Sequence, residues 1–119
     1  MKPSIRILLA VAAATVATVP AQSSAFTAGT VTAIAPDDGL NIRKWPGANS
    51  KIIDVYLLGE PISLTGRCKN IITNVSFRID GGGSAAWKYA KMKKANVWCQ
   101  VMTDAAELGW ARGTYIWPE

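Results

Sequence analysis

The stretch IIDVYLLGEPISLTG, residues 52–66, decides the fold of this chain. Residues 52–58 are rich in β-branched and aromatic side chains, and a Gly-Glu-Pro turn at residues 59–61 interrupts them. Ile62 and Leu64 then place apolar side chains at every second position, which is the period of a β-strand. The stretch therefore predicts two short strands joined by a tight turn.

Comparable short strands flank this stretch on both sides. The flanking strand segments are residues 29–34, 40–42, 97–102 and 109–112, and residues 113–116 close the domain. Turn signals separate them: Asp37, Asp38 and Gly39 form one, and residues 45–50 have the Pro, Gly, Asn and Ser composition of a loop. Closely spaced short strands with turns between them predict a mainly β domain, either a small barrel or a sandwich.

Residues 67–97 have a different character from the strands around them. Residues 71–79 keep strand spacing and predict an added hairpin, and the Gly-rich residues 80–84 predict a flexible turn. Ser84 is a suitable N-cap for the good helix formers of residues 85–95. An alternating strand would also fit the Trp-Lys-Tyr sequence there, but we favour a short helix.

Several motifs occur in the order found in the bacterial SH3 domain, and the chain resembles that family. They are Leu40-Asn-Ile-Arg43, Pro46-Gly47, Gly59, Ile62, Leu64 and Gly66, and later Trp98-x-x-Val101 and Gly109-Trp110-x-x-Gly113-x-Tyr115-Ile116. The resemblance implies a small SH3-like barrel of about five to seven short strands. It also implies a binding module, in which residues 67–97 are an insertion containing a hairpin and a short helix. Trp98, Trp110 and Tyr115 are expected in its core.

The N-terminus has the layout of a secretory signal peptide. Lys2 and Arg6 precede a mostly apolar run at residues 7–19, and small residues follow at 21–25. The run is shorter than the roughly 20 residues that span a bilayer, although an uncleaved anchor is the alternative. We expect cleavage after Ala25, or else after Ala21, which leaves one domain at residues 26–119 in the periplasm or outside the cell. No stable membrane insertion is expected after the signal is removed.

Cys68 and Cys99 are the two cysteines of the chain. In an oxidising compartment an even pair predicts a disulfide bond, and a loop of this size contributes about 3–4 kcal/mol of stability in the chain-entropy model. The alternative is a reactive thiol or redox pair, but those usually have Cys-X-X-Cys spacing.

The composition restricts the chemistry available to the chain. It has no histidine, which excludes a Ser-His-Asp triad, a Cys-His dyad and an imidazole zinc site. A carboxylate pair remains conceivable, but Asp37 and Asp38 beside Gly39 are more typical of a turn. We therefore expect no enzyme activity, no cofactor and no metal site. Loss of Lys2 and Arg6 with the signal would lower the net charge from +5 to +3. A net charge of +3 is too small to indicate nucleic-acid binding.

Two clusters are candidate ligand sites. Arg43, Lys44 and Trp45 combine basic and aromatic side chains on a loop, as peptide or sugar sites often do. Trp87 and Tyr89 form the second cluster, together with Lys88, Lys91, Lys93 and Lys94. The alternatives are that Trp45 packs beneath its own loop, and that Trp87 holds a solvated helix against the barrel. The resemblance implies cell-envelope material such as peptidoglycan, or a peptide, as the ligand. The alternative role is that of an inhibitor or accessory subunit of an envelope enzyme.

Overall fold

Eight strands and one α-helix form the part of the chain that the computed structural model describes, residues 26–119. They are β1 (Thr27–Val31), β2 (Gly39–Arg43), β3 (Ile52–Leu57), β4 (Pro61–Asn70), β5 (Ser76–Arg78), α1 (Ala85–Met92), β6 (Val97–Met102), β7 (Leu108–Arg112) and β8 (Ile116–Pro118). A 3₁₀ turn, Gly113–Tyr115, joins the last two strands. The prediction of a mainly β domain with an inserted hairpin and helix is confirmed. The predicted signal peptide, residues 1–25, lies outside the described residues.

The strands form one antiparallel sheet in the order β3-β2-β7-β6-β4-β1-β8, and β5 pairs with β4 beside that path. The long strand β4 is central, because β6 pairs along one side of it while β1 and β5 pair with its two halves on the other side. In residues 26–119 no helix has the length and apolar composition needed to cross a bilayer.

The core is built from alternate residues of the short strands. Leu40 and Ile42 of β2 are buried, as are Ile62 and Leu64 of β4. Each fully buried aliphatic side chain of this size contributes about 1.5–3 kcal/mol relative to exposure. The alternation seen in the sequence therefore corresponds to the inward face of the sheet. Trp98 and Trp110 are also buried, as predicted, while Tyr115 is partly buried and packs against the core.

The insertion begins as a continuation of the sheet. Strand β4 passes through Gly66, which has a φ of +98°, and extends to Asn70 after a register shift between Leu64 and Cys68. The hairpin strand β5 is shorter than the predicted 71–79, because the side chain of Asn70 accepts the amides of Ile72 and Thr73 and bends the chain there.

A disulfide bond joins Cys68 of β4 to Cys99 of β6, as predicted. The two residues lie directly opposite each other in the β4–β6 register, with their Cα atoms 4.0 Å apart, and both are fully buried. The bond therefore crosslinks two hydrogen-bonded strands at the base of the insertion.

The predicted helix is present and is capped as expected. Ser84 Oγ accepts the amide of Trp87 at 3.1 Å, and α1 starts at Ala85. The helix ends at Met92, earlier than the predicted residue 95. Met92 is fully buried and lies against Gly113, where a β-carbon would clash with the Met92 main chain. This contact fixes the helix to the 3₁₀ turn.

Strand β3 forms one edge of the sheet, and its outward amides are occupied by side chains. The amide of Val55 donates to the carboxylate of Asp54 at 2.8 Å, and the amide of Leu57 donates to that of Glu60 at 2.8 Å. An edge strand whose amides are free is a template for pairing with another chain. The two carboxylates therefore protect this edge.

Candidate functional site

A groove with a volume of about 380 Å³ opens beside β2. Its polar and aromatic lining comprises Asp38, Asn41, Arg43, Trp98, Arg112 and Tyr115, and we call it the polar groove. These residues come from the loop before β2, from β2, β6 and β7, and from the 3₁₀ turn. The groove thus offers guanidinium and amide donors together with one carboxylate, a set that suits a ligand rich in amides, hydroxyls or carboxylates.

Trp98 and Arg112 form the aromatic wall of the polar groove. They lie opposite each other on β6 and β7, and the guanidinium carbon of Arg112 is 5.3 Å from the Trp98 ring centroid. This distance is within the range of a cation–π contact. The buried indole Nε1 of Trp98 has no hydrogen-bond partner within residues 26–119. Arg112 is exposed and makes no ion pair with any residue that the structure describes.

The loop after β2 is fixed by Arg43 and Ser50. A guanidinium nitrogen of Arg43 donates to the main-chain oxygen of Ser50 at 2.7 Å, and Ser50 Oγ accepts the amide of Trp45 at 2.8 Å. Lys44 donates its amide to the main-chain oxygen of Lys51 at 2.9 Å. These bonds close the base of the loop and leave Trp45 at its surface.

Trp45 is 64% exposed, so it does not pack beneath its own loop. Ala48 of the same loop lines the polar groove, as does Arg43, but Trp45 itself is not part of the lining. The first predicted cluster therefore lies at the border of the groove, with Arg43 inside it and Lys44 and Trp45 on the adjoining loop.

The second predicted cluster is divided by the structure. Trp87 is 48% exposed on α1, with the Nζ of Lys91 at 4.9 Å from its ring centroid. Tyr89 has a structural role, because its hydroxyl donates to the main-chain oxygen of Thr114 at 2.7 Å and its ring centroid lies 5.0 Å from that of Trp117. Neither Trp87 nor Tyr89 lines the polar groove.

The predicted basic face of α1 is divided in the same way. Lys88 is buried, and its Nζ donates to the main-chain oxygen of Glu119 at 3.2 Å. Lys93 and Lys94 are exposed, and Lys91 lies between the rings of Trp87 and Phe77. Lys88 is thus a structural residue, while the other lysines remain at the surface.

Asp37 and Asp38 lie in the turn that the sequence predicts. The carboxylate of Asp38 accepts the amide of Gly39 at 3.0 Å. Within residues 26–119 no three His, Cys, Asp or Glu residues lie close enough together to hold a metal ion.

Three groups with a shifted pKa, Asp80, its partner Arg78 and Tyr56, lie outside the groove. A hydrogen bond from the Arg78 guanidinium lowers the pKa of Asp80, and burial raises the pKa of the Tyr56 hydroxyl. Asp80 and Arg78 form a surface ion pair of 2.7 Å, while Tyr56 accepts the amide of Asp104 at 3.0 Å. All three shifts therefore arise from burial or contacts within the fold.

Sequence reasoning missed Arg112 and Asn41 as lining residues and assigned Trp98 to the core alone. The register of β6 and β7 places Arg112 beside Trp98, and a paired-strand alignment of those two segments is the signal that could have found it. The chain matches no protein-family model, no curated protein and no solved structure.

Proposed function

We propose that this chain is an exported, non-enzymatic binding module of the bacterial SH3 type that recognises cell-envelope material or a peptide. The observation that carries the proposal is Trp45, 64% exposed on a loop whose base is closed by hydrogen bonds. Because these bonds already hold the main chain of the loop, and an indole side chain has few rotatable bonds, binding through Trp45 costs little conformational freedom. Trp45 lies on the loop that borders the polar groove, so the loop and the groove together form one candidate binding surface.

The chemistry of the polar groove supports a peptide or glycopeptide ligand. Arg112 can donate to a carboxylate or an amide oxygen, and Asn41 can both donate and accept. Asp38 adds an acceptor for amide or amine groups. Peptidoglycan presents all of these groups on its peptide stems, and its sugar rings can stack against an exposed indole such as Trp45.

Export is supported by the disulfide bond and by the signal-like N-terminus. A fully buried bond between Cys68 and Cys99 suits an oxidising compartment such as the periplasm or the extracellular space. We propose that residues 1–25 direct the chain there and are removed.

The test is retention of the purified, oxidised protein on isolated peptidoglycan sacculi. We expect the wild type to sediment with sacculi and Trp45→Ala to lose most of that retention. Trp87→Ala is the matched control, because it removes the same type of exposed side chain from α1 and not from the loop that borders the polar groove. Retention that is unchanged in Trp45→Ala, or no retention at all, would overturn recognition of the cell wall through this surface.

The second candidate function is that of an inhibitor or accessory subunit of an envelope enzyme. The exposed Trp87 with Lys91 beside it favours this role. It predicts capture of one protein from a periplasmic extract, with no retention on sacculi and with loss of capture in Trp87→Ala.

A further inference from the structure

A second groove, with a volume of about 360 Å³, lies within the insertion. It is lined by Asn70, Thr73, Val75, Phe77, Lys91, Lys94 and Val97, and we call it the insert groove. It forms where the β4–β5 hairpin faces the C-terminal end of α1. It shares no lining residue with the polar groove.

The apolar lining of the insert groove runs from the core to the surface. Val97 is buried, Phe77 is partly buried and packs against the core, and Val75 is 58% exposed. Ile72, in the hairpin turn, is 71% exposed and extends the apolar surface beyond the groove. This gradient makes a recess in which an apolar side chain of a partner would be taken out of water.

The charged lining of the groove is entirely basic. Lys91 Nζ lies 5.9 Å from the Phe77 ring centroid and 4.9 Å from that of Trp87, which holds it over the aromatic wall. Lys94 is exposed, and neither lysine makes an ion pair in the described part of the chain. The one acidic residue of the insertion, Asp80, is already paired with Arg78 at 2.7 Å.

The charge of the whole domain is divided between the insertion and the rest. Residues 67–97 carry seven basic residues and one acidic residue, a net charge of +6. The remainder of residues 26–119 carries four basic and seven acidic residues, a net charge of −3. A strongly basic segment on a weakly acidic body attracts an acidic partner to one end of the molecule and orients it there.

We propose that the insert groove binds an acidic protein segment that carries an apolar anchor residue. The carboxylates of such a segment would pair with Lys91 and Lys94, and its apolar side chain would fill the recess formed by Val75 and Phe77. A flat anionic membrane would explain the basic charge and the projecting Ile72, but it would leave the recess formed by Val75 and Phe77 unfilled. Binding at the insert groove does not depend on binding at the polar groove, so one of the two proposals can be wrong while the other is right.

The test is selection of a phage-displayed library of random dodecapeptides on the oxidised protein. We expect the selected sequences to be enriched in Asp and Glu around a Phe, Leu or Trp. A synthetic peptide of the consensus should bind about five- to tenfold more weakly to Lys94→Glu, because an attraction becomes a repulsion. Lys93→Glu is the matched control, since it changes the same charge on the neighbouring exposed residue outside the groove lining, and we expect less than a twofold effect.

A second variant tests the apolar part of the groove. Val75→Ser removes an exposed aliphatic side chain, and its thermal melting should match that of the wild type while peptide affinity falls. The proposal is overturned if no acidic–apolar consensus emerges, or if the peptides bind Lys94→Glu as tightly as the wild type. It is also overturned if the protein instead binds phosphatidylglycerol vesicles through Lys94 and selects no peptide.

Discussion

Reducing the Cys68–Cys99 bond should remove a large share of the stability of the domain. The bond closes a loop with a sequence separation of 31 residues. The chain-entropy relation then gives a loss of about 12 cal/mol/K in the entropy of the unfolded chain, or about 3.7 kcal/mol at 25 °C. Domains of this size are stable by about 5–15 kcal/mol in total. The midpoint of thermal unfolding should therefore fall by about 15–30 °C.

Urea denaturation of the oxidised and the reduced wild type, followed by tryptophan fluorescence, measures this effect directly. The two samples have the same sequence and differ only in the reduction of this bond to two thiols, so the difference in unfolding free energy reports the loss of the disulfide. The double variant Cys68→Ala/Cys99→Ala should lose somewhat more, because both sulfur atoms are fully buried and their removal leaves a cavity. A difference of less than about 1 kcal/mol between oxidised and reduced protein would refute the loop-closure reasoning.

Three further changes test contacts within the domain. Tyr89→Phe removes the hydroxyl that donates to the Thr114 main chain, and urea denaturation should show a loss of about 1 kcal/mol; unchanged stability would mean that the bond contributes nothing. Burial raises the pKa of Tyr56 above its ordinary value of 10.0, so its contribution to stability is complete below pH 10 and is lost as the pH rises through the folded-state pKa. Phenolate absorbance should show a late-titrating step that is missing in Tyr56→Phe, and an identical titration of both proteins would contradict the assignment. Asp54→Ala/Glu60→Ala frees the β3 amides, so analytical ultracentrifugation should show association that grows with concentration; a monomer at all concentrations would show that the edge needs no such protection.

The strands and the helix start could be predicted because their causes are local. The period of two at Ile62 and Leu64 reflects one buried face, and Ser84 caps α1 through a bond within its own turn. The disulfide followed from the count of two cysteines and the signal-like N-terminus. The extension of β4 to Asn70 was missed, since it depends on a register shift that lets a polar segment pair on both sides.

The site was less predictable because it is assembled from distant segments. Trp45 was identified correctly as a loop residue, but its exposed position depends on hydrogen bonds that Ser50 accepts from Arg43 and from the Trp45 amide, which the sequence does not reveal. Tyr89 is an aromatic residue of the type expected in a binding site, yet its hydroxyl donates a hydrogen bond to the main chain of Thr114, which is distant in sequence. Arg112 becomes part of the polar groove only through the pairing of β6 with β7.

The Cys68–Cys99 bond also allows the sequence of the inserted hairpin turn to change while strands β4 and β6 stay joined. It joins β4 to β6 before the chain leaves the sheet, so a longer or shorter hairpin turn at residues 71–75 would not separate these strands. Ile79 and Met92 limit how much can be replaced, because both are fully buried in the common core. The sequence of the hairpin turn could therefore vary while the sheet stays constant, and a grafted peptide placed there would be displayed on a covalently closed base.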